Sequence, residues 1–127
     1  MNVPEDLLYS SDHEWIRREG TDRVRIGITD YAQDALGDVV FIELPEVGRT
    51  VGASESFGEV ESTKSVSDVY APLAGTVVEV NTNLDEAPET LNEDPYGDGW
   101  ICVIELAEGA GLEGLMDAAA YVELTEG

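Results

Sequence analysis

Apolar and polar side chains alternate with a period of two along much of the chain, the pattern of strands with one buried face. Val24, Ile26 and Ile28 alternate with Arg25 and Gly27, and Val40, Ile42 and Leu44 alternate with Phe41 and Glu43. Segments 57–62, 66–70, 76–80 and 101–106 read the same way. Pro45, Gly48, Pro72, Gly75, Pro95, Gly97 and Gly99 punctuate them. Many short strands with regular turns predict an all-β barrel or sandwich. Helical signals are few. Asp30 with Gln33 three residues on resembles a capping box, followed by Ala32, Ala35 and Leu36 and stopped by Gly37. Near the C-terminus Leu112, Leu115, Met116 and Ala119 keep helical spacing, so a helical segment is expected over about 112–124, with Asp117 capping the turn from 118. Both stripes read as lids over the core. Pro45-Glu46-Val47-Gly48 before Val51 and Pro72-Leu73-Ala74-Gly75 before Val77 form a weak internal repeat.

Composition narrows the class. The 127 residues suit one domain spanning 1–127, and 43 % hydrophobic content is that of a chain that folds. Twenty-eight acidic residues against 6 basic ones leave a net charge of −22. Nucleic acid and anionic membrane surfaces are therefore excluded as partners. Cys102 is the only cysteine and His13 the only histidine, which removes a disulfide framework, a thiolate zinc cluster and a His-rich metal site. No run reaches the ~18 apolar residues of a membrane helix, and residues 1–11 lack the basic and apolar regions of a signal peptide. A soluble cytoplasmic protein is expected. Self-repulsion among so many carboxylates is relieved by molar salt, so a salt-loving source is expected too.

Of the six basic residues, Arg17, Arg18, Arg23, Arg25 and Arg49 are arginines. Lys64 is the sole lysine. It falls in Thr63-Lys64-Ser65, between the strand ending at Ser62 and the one beginning at Val66, which sets its amine at a hairpin turn. A turn lysine on rigid strands presents a primary amine at fixed height, as a lysine-modifying enzyme requires, and leaves an attached arm free to sweep. The run Gly58-Glu59-Val60-Glu61-Ser62-Thr63-Lys64-Ser65-Val66-Ser67-Asp68 resembles the prosthetic-group hairpin of lipoyl and biotinyl carriers. Biotin carriers flank their lysine with methionines; Thr63 and Ser65 stand here, which favours the lipoyl branch.

Within that branch the chain resembles the glycine cleavage system H proteins. The resemblance rests on His13-Glu14-Trp15, Gly27-Ile28-Thr29-Asp30-Tyr31-Ala32-Gln33, Leu36-Gly37-Asp38-Val39-Val40, Glu43-Leu44-Pro45, the segment 62–68 and Asp94-Pro95-Tyr96-Gly97-Asp98-Gly99-Trp100. It covers about Tyr9 to Tyr121. Thr63 stands where the family more often has valine, and the region near Thr21 and Asp22 looks one residue long. The resemblance implies a barrel-sandwich hybrid with a few short helices and a lysine-bearing hairpin over about 57–70. It implies a carrier, not an enzyme, with lipoic acid in amide linkage to Lys64. Its implied partners are a pyridoxal-phosphate glycine decarboxylase (P protein), a tetrahydrofolate-dependent aminomethyltransferase (T protein) and dihydrolipoyl dehydrogenase (L protein). A lipoate ligase or a lipoyl/octanoyl transferase would attach the arm. Glu14 and Asp68 match positions lining the cleft that shelters the loaded arm, where they would accept charge-assisted hydrogen bonds from a cationic aminomethyl nitrogen. A lipoyl carrier or lipoate relay for another pathway shares all of these residues, and an unmodified interaction module is a third reading. His13 reads as structural, Cys102 as a buried hydrophobe, Trp15 and Trp100 as core, and Asn81, Asn83 and Asp85 as a solvated loop.

Overall fold

The structure, a computed structural model, describes residues 2–112 and 114–126. Nine strands run β1 (Leu8–Tyr9), β2 (Glu14–Arg18), β3 (Arg23–Ile28), β4 (Val39–Glu43), β5 (Thr50–Val51), β6 (Ser56–Ser62), β7 (Val66–Tyr70), β8 (Gly75–Val80) and β9 (Cys102–Leu106). Among the described residues four helices accompany them: α1 (Asp30–Leu36), α2 (Asn83–Glu86), α3 (Thr90–Glu93) and α4 (Ala118–Glu126). The strands form a six-stranded sheet in the order β1-β2-β3-β9-β8-β5 and a three-stranded sheet β4-β6-β7, with every pair antiparallel. This is the expected all-β architecture, with two open sheets facing a common core in place of one closed barrel.

The alternating positions explain the core. Val24, Ile26 and Ile28 of β3, Val60 of β6, Val69 of β7, Val77 of β8 and Ile104 of β9 are buried in one cluster that joins the two sheets. At ~25 cal/mol per Å² of apolar surface, such burial is the main favourable contribution to folding. The two copies of the internal repeat pair with each other: Thr50 lies opposite Thr76 and Val51 opposite Gly75, while Gly48 N–H donates to Val77 C=O (2.7 Å). A second cluster gathers Leu7, Tyr9, Trp15, Ala118 and Tyr121 under α4. Gly27 is the partner of Trp15 across β2 and β3, and a Cβ there would come within 2.6 Å of the indole, so only glycine lets the ring lie across β3.

Several expectations change. Strand β2 escapes an alternation test because Glu14, Trp15 and Ile16 are all buried in succession. Val40 was expected in the core and is exposed, because a bulge between Val39 and Phe41 turns two consecutive apolar residues outward. The cap of α1 is Thr29, whose Oγ1 accepts from Ala32 N–H (3.1 Å), one residue before Asp30; Gln33 instead donates to the Asp30 carboxylate (2.7 Å). The C-terminal helix begins at Ala118, not near 112. Asp117 does cap it, accepting from Ala120 N–H (2.9 Å), but Met116 is spent pairing its backbone with Tyr9. Glu113, inside the segment expected to be helical, lies outside the described residues. Nor is Asn81 solvated. It is buried and donates to the carbonyls of Asp98 and Trp100 (2.7 and 2.8 Å), while Asn83 and Asp85 belong to the short helix that sets Leu84 into the core. No helix among the described residues is long and apolar enough to cross a membrane.

Candidate functional site

Strands β6 and β7 form a hairpin in register Glu61↔Val66 and Glu59↔Asp68, closed by Thr63-Lys64-Ser65. The turn is stiffened from within. Ser62 N–H donates to Ser65 C=O (2.8 Å), and the buried Ser62 hydroxyl accepts from the backbone N–H groups of Lys64 (3.3 Å) and Ser65 (3.1 Å). Thr63 N–H donates to Asp38 C=O (3.0 Å), which ties the tip to the corner between α1 and β4. Lys64 is exposed at that tip. Its aliphatic stem crosses Gly37, where an added Cβ would meet Cε at 3.2 Å; Gly37 ends α1 with φ +81°.

Beside the hairpin lies a cavity of about 290 Å³ between α1, β7 and the turn before β2. Its walls include Ile28, Ala32, Leu36, Val60 and Val69, with Glu14, His13, Ser67 and Asp68 among the polar contributions. Glu14 is only 2 % exposed. Burial pushes its carboxyl up to about 8, against the opposing pull of two hydrogen bonds: the Ser10 hydroxyl donates to Oε1 (2.7 Å) and Tyr70 N–H to Oε2 (3.4 Å). With no cation beside it among the described residues, the group is mostly neutral at pH 7. Asp68 differs in kind. It is exposed on β7, at the rim, with the Tyr70 hydroxyl 3.5 Å from Oδ2.

The sequence-selected residues thus converge: Glu14 and Asp68 line one cavity, and the strand that carries Asp68 leads back to Lys64. Other participants were not expected. His13 holds φ +69° and its Nδ1 lies 2.8 Å from the Tyr121 hydroxyl, which in turn lies 2.7 Å from Thr29 Oγ1. Its ring packs on Tyr31 at 4.6 Å, and burial lowers its pKa. His13 is therefore structural, as expected, yet it lines the cavity. Asn92 donates to Gly37 C=O (2.8 Å) and Gln33 Oε1 (3.0 Å) and accepts from Val39 N–H (2.8 Å), clamping α1 to β4 below the lysine. Nothing near Asn92 or Ser10 in sequence signals these roles; both depend on contacts made by the folded chain. Trp15 is fully buried and donates to Pro95 C=O (2.8 Å), whereas Trp100 is half-buried beneath the Arg25 guanidinium at 4.2 Å. Cys102 is buried, with its thiol pushed up to about 12.

Comparison with known proteins gives one answer. The family model described as Glycine cleavage H-protein matches residues 7–127. The glycine cleavage system H protein of Symbiobacterium thermophilum is 59 % identical over 125 residues, covering 98 % of this chain and 97 % of that protein. That of Mycobacterium avium is 58 % identical over 124 residues, covering 94 % of each. A crystal structure of a glycine cleavage system H protein from Mycobacterium marinum superposes with a TM-score of 0.89 at 47 % identity, covering 98 % of this chain and 99 % of that one. The hairpin, the cavity and these likenesses agree, and the chain belongs to the glycine cleavage H-protein family.

Proposed function

We propose that Lys64 carries lipoic acid in amide linkage and that the protein shuttles the aminomethyl group of glycine from the decarboxylase (P protein) to the aminomethyltransferase (T protein), with dihydrolipoyl dehydrogenase (L protein) restoring the arm. As a member of its family the protein is a carrier subunit and not a catalyst. The observation that carries the reading is the only lysine side chain of the chain, exposed at a braced hairpin tip beside a cavity that contains a buried carboxyl group. The residues fit the group: alkyl walls suit an alkyl arm, and a carboxyl at the wall suits a cationic amine. When attached, lipoic acid supplies a disulfide that accepts the one-carbon cargo on reduction and is regenerated by oxidation.

The chain's own residues do the rest. Lys64 gives up its charge on amide formation and fixes one end of the arm, which turns encounters with each enzyme into events at high effective concentration. Ile28, Leu36, Val60 and Val69 exclude water from cargo that water would release. Glu14 is held neutral until a cation approaches; the cation lowers its pKa, a proton leaves, and a carboxylate oriented by Ser10 and Tyr70 N–H faces the amine. Asp68 adds a second acceptor at the rim. Intact mass of protein from its native cell tests the assignment. One lipoyl increment, absent from Lys64→Arg, is expected; an unmodified native protein in lipoate-replete cells would defeat it.

A further inference from the structure

We infer that the outer face of the β4-β6-β7 sheet is the docking surface for the enzyme that acylates Lys64, met by an apolar contact ringed with basic side chains. The inference rests on the reading of Lys64 as the lipoylated residue. Two rows of side chains cross this face, since partners in adjacent antiparallel strands share a side. Nearer the turn are Phe41, Glu61 and Val66; the next row outward is Glu43, Glu59 and Asp68. All six are exposed. Phe41 is 53 % and Val66 58 % exposed, and the bulge in β4 adds Val40 at 52 %. Folding alone gives no reason to turn two neighbouring apolar residues to water, whereas bulges recur where a strand re-aims side chains for use.

The charge pattern specifies the partner. Like charges directly opposite one another across strands destabilise a sheet, yet here three carboxylates face each other in one row and a fourth lies in the next. The ion pairs among the described residues are Arg23–Glu105, Arg25–Glu19 and Arg49–Glu55, so none of these four carboxylates is in one, and Arg49, which borders Glu43, Glu59 and Asp68 at the edge of the face, is engaged with Glu55. A partner that supplies basic side chains around an apolar patch complements both features. Reach selects which partner. A lysine side chain extends only ~6 Å from its Cα, so the enzyme that forms the amide must press against the turn and its neighbours, while enzymes that work on the far end of an attached arm stand off by roughly 10 Å more. In the acylation itself, Nζ loses a proton and forms the amide as the activated acyl donor, an adenylate or a thioester, loses its leaving group.

The test compares initial rates of lipoylation of the full chain by an ATP-dependent lipoate ligase, read by intact mass. Val40→Ser with Phe41→Ser, and separately Glu43→Lys with Glu59→Lys, should each lower kcat/KM about 10-fold, mainly through KM, as loss of a central docking contact does. Thermal midpoints of the apolar pair should match wild type. Once fully lipoylated and reduced to the dithiol with a phosphine, that pair should be reoxidised by dihydrolipoyl dehydrogenase as fast as wild type. Wild-type acylation rates in both doubles would overturn the proposal, as would an equal loss in the dehydrogenase reaction, which would make the face a general contact. Wild-type rates in the charge-reversed double alone would overturn the basic rim. Label retained in Lys64→Arg would instead overturn the lipoyl-lysine reading.

Discussion

Glu14 shows how a residue can be named from sequence while its chemistry cannot. The His13-Glu14-Trp15 motif marks it, but its protonation depends on Ser10, on Tyr70 N–H and on burial, all supplied by the fold. Its carboxyl titrates near 4.5 when unfolded and about 8 when folded. A raised folded pKa means the stabilising balance is full below the unfolded value and is lost as pH rises toward about 8. Glu14→Gln should therefore remove a fall in stability on the order of a few kcal/mol between pH 5 and 8, measured by urea unfolding at a series of pH values. An identical pH profile for wild type and variant would show that Glu14 is not buried as a neutral acid. The loaded arm gives the complementary readout. Glu14→Ala should accept lipoate normally, and both Glu14→Ala and Asp68→Ala, once lipoylated, should release the aminomethyl cargo to water about 10-fold faster, the loss of one charged hydrogen bond of ~1.5 kcal/mol. Formaldehyde and ammonia release without the transferase reports it, and unchanged retention would make both carboxylates bystanders.

At the scale of elements, alternation located β3, β6, β7 and β8 because each has one wetter and one drier face, while β9 was located by its apolar run, with Cys102, Val103 and Ile104 buried in succession. Alternation failed at β2, buried on both sides near Glu14, and at Val40, where a bulge breaks the period without any change in residue type. The helix α4 was legible through Asp117, but its task was not. Tyr121, stacked on Tyr9 at 4.7 Å, sends its hydroxyl to both His13 and Thr29 and so braces the cavity from behind. Tyr121→Phe should cost roughly 1–3 kcal/mol by leaving those partners unsatisfied. Thermal denaturation checks this, and a change within error would show that solvent replaces the hydroxyl freely. Gly37 is the other constrained point of the site. Its φ of +81° and its contact with the Lys64 stem make Gly37→Ala both strained, by about 1 kcal/mol, and obstructive to the lysine.

For the whole molecule, charge is the dominant variable. Three ion pairs join the described residues, and each is partly exposed, so most of the 28 carboxylates repel one another without a cationic neighbour. The thermal midpoint should climb steadily with potassium chloride up to molar concentration as screening shortens the Debye length to ~3 Å. A flat or falling midpoint across that series would remove the high-salt expectation while leaving the carrier role intact.

Cys102 bears on the redox fidelity of such a carrier. A protein that holds a disulfide on a mobile arm exposes it to attack by any thiolate within reach, its own included, and attack would convert a regenerable arm into a trapped mixed disulfide. The only thiol of the chain lies wholly inside β9, with ionisation pushed up to about 12. It is out of the arm's path and has almost no thiolate at neutral pH. Under the proposed function, exchange of the carried disulfide is thereby left to the partner enzymes.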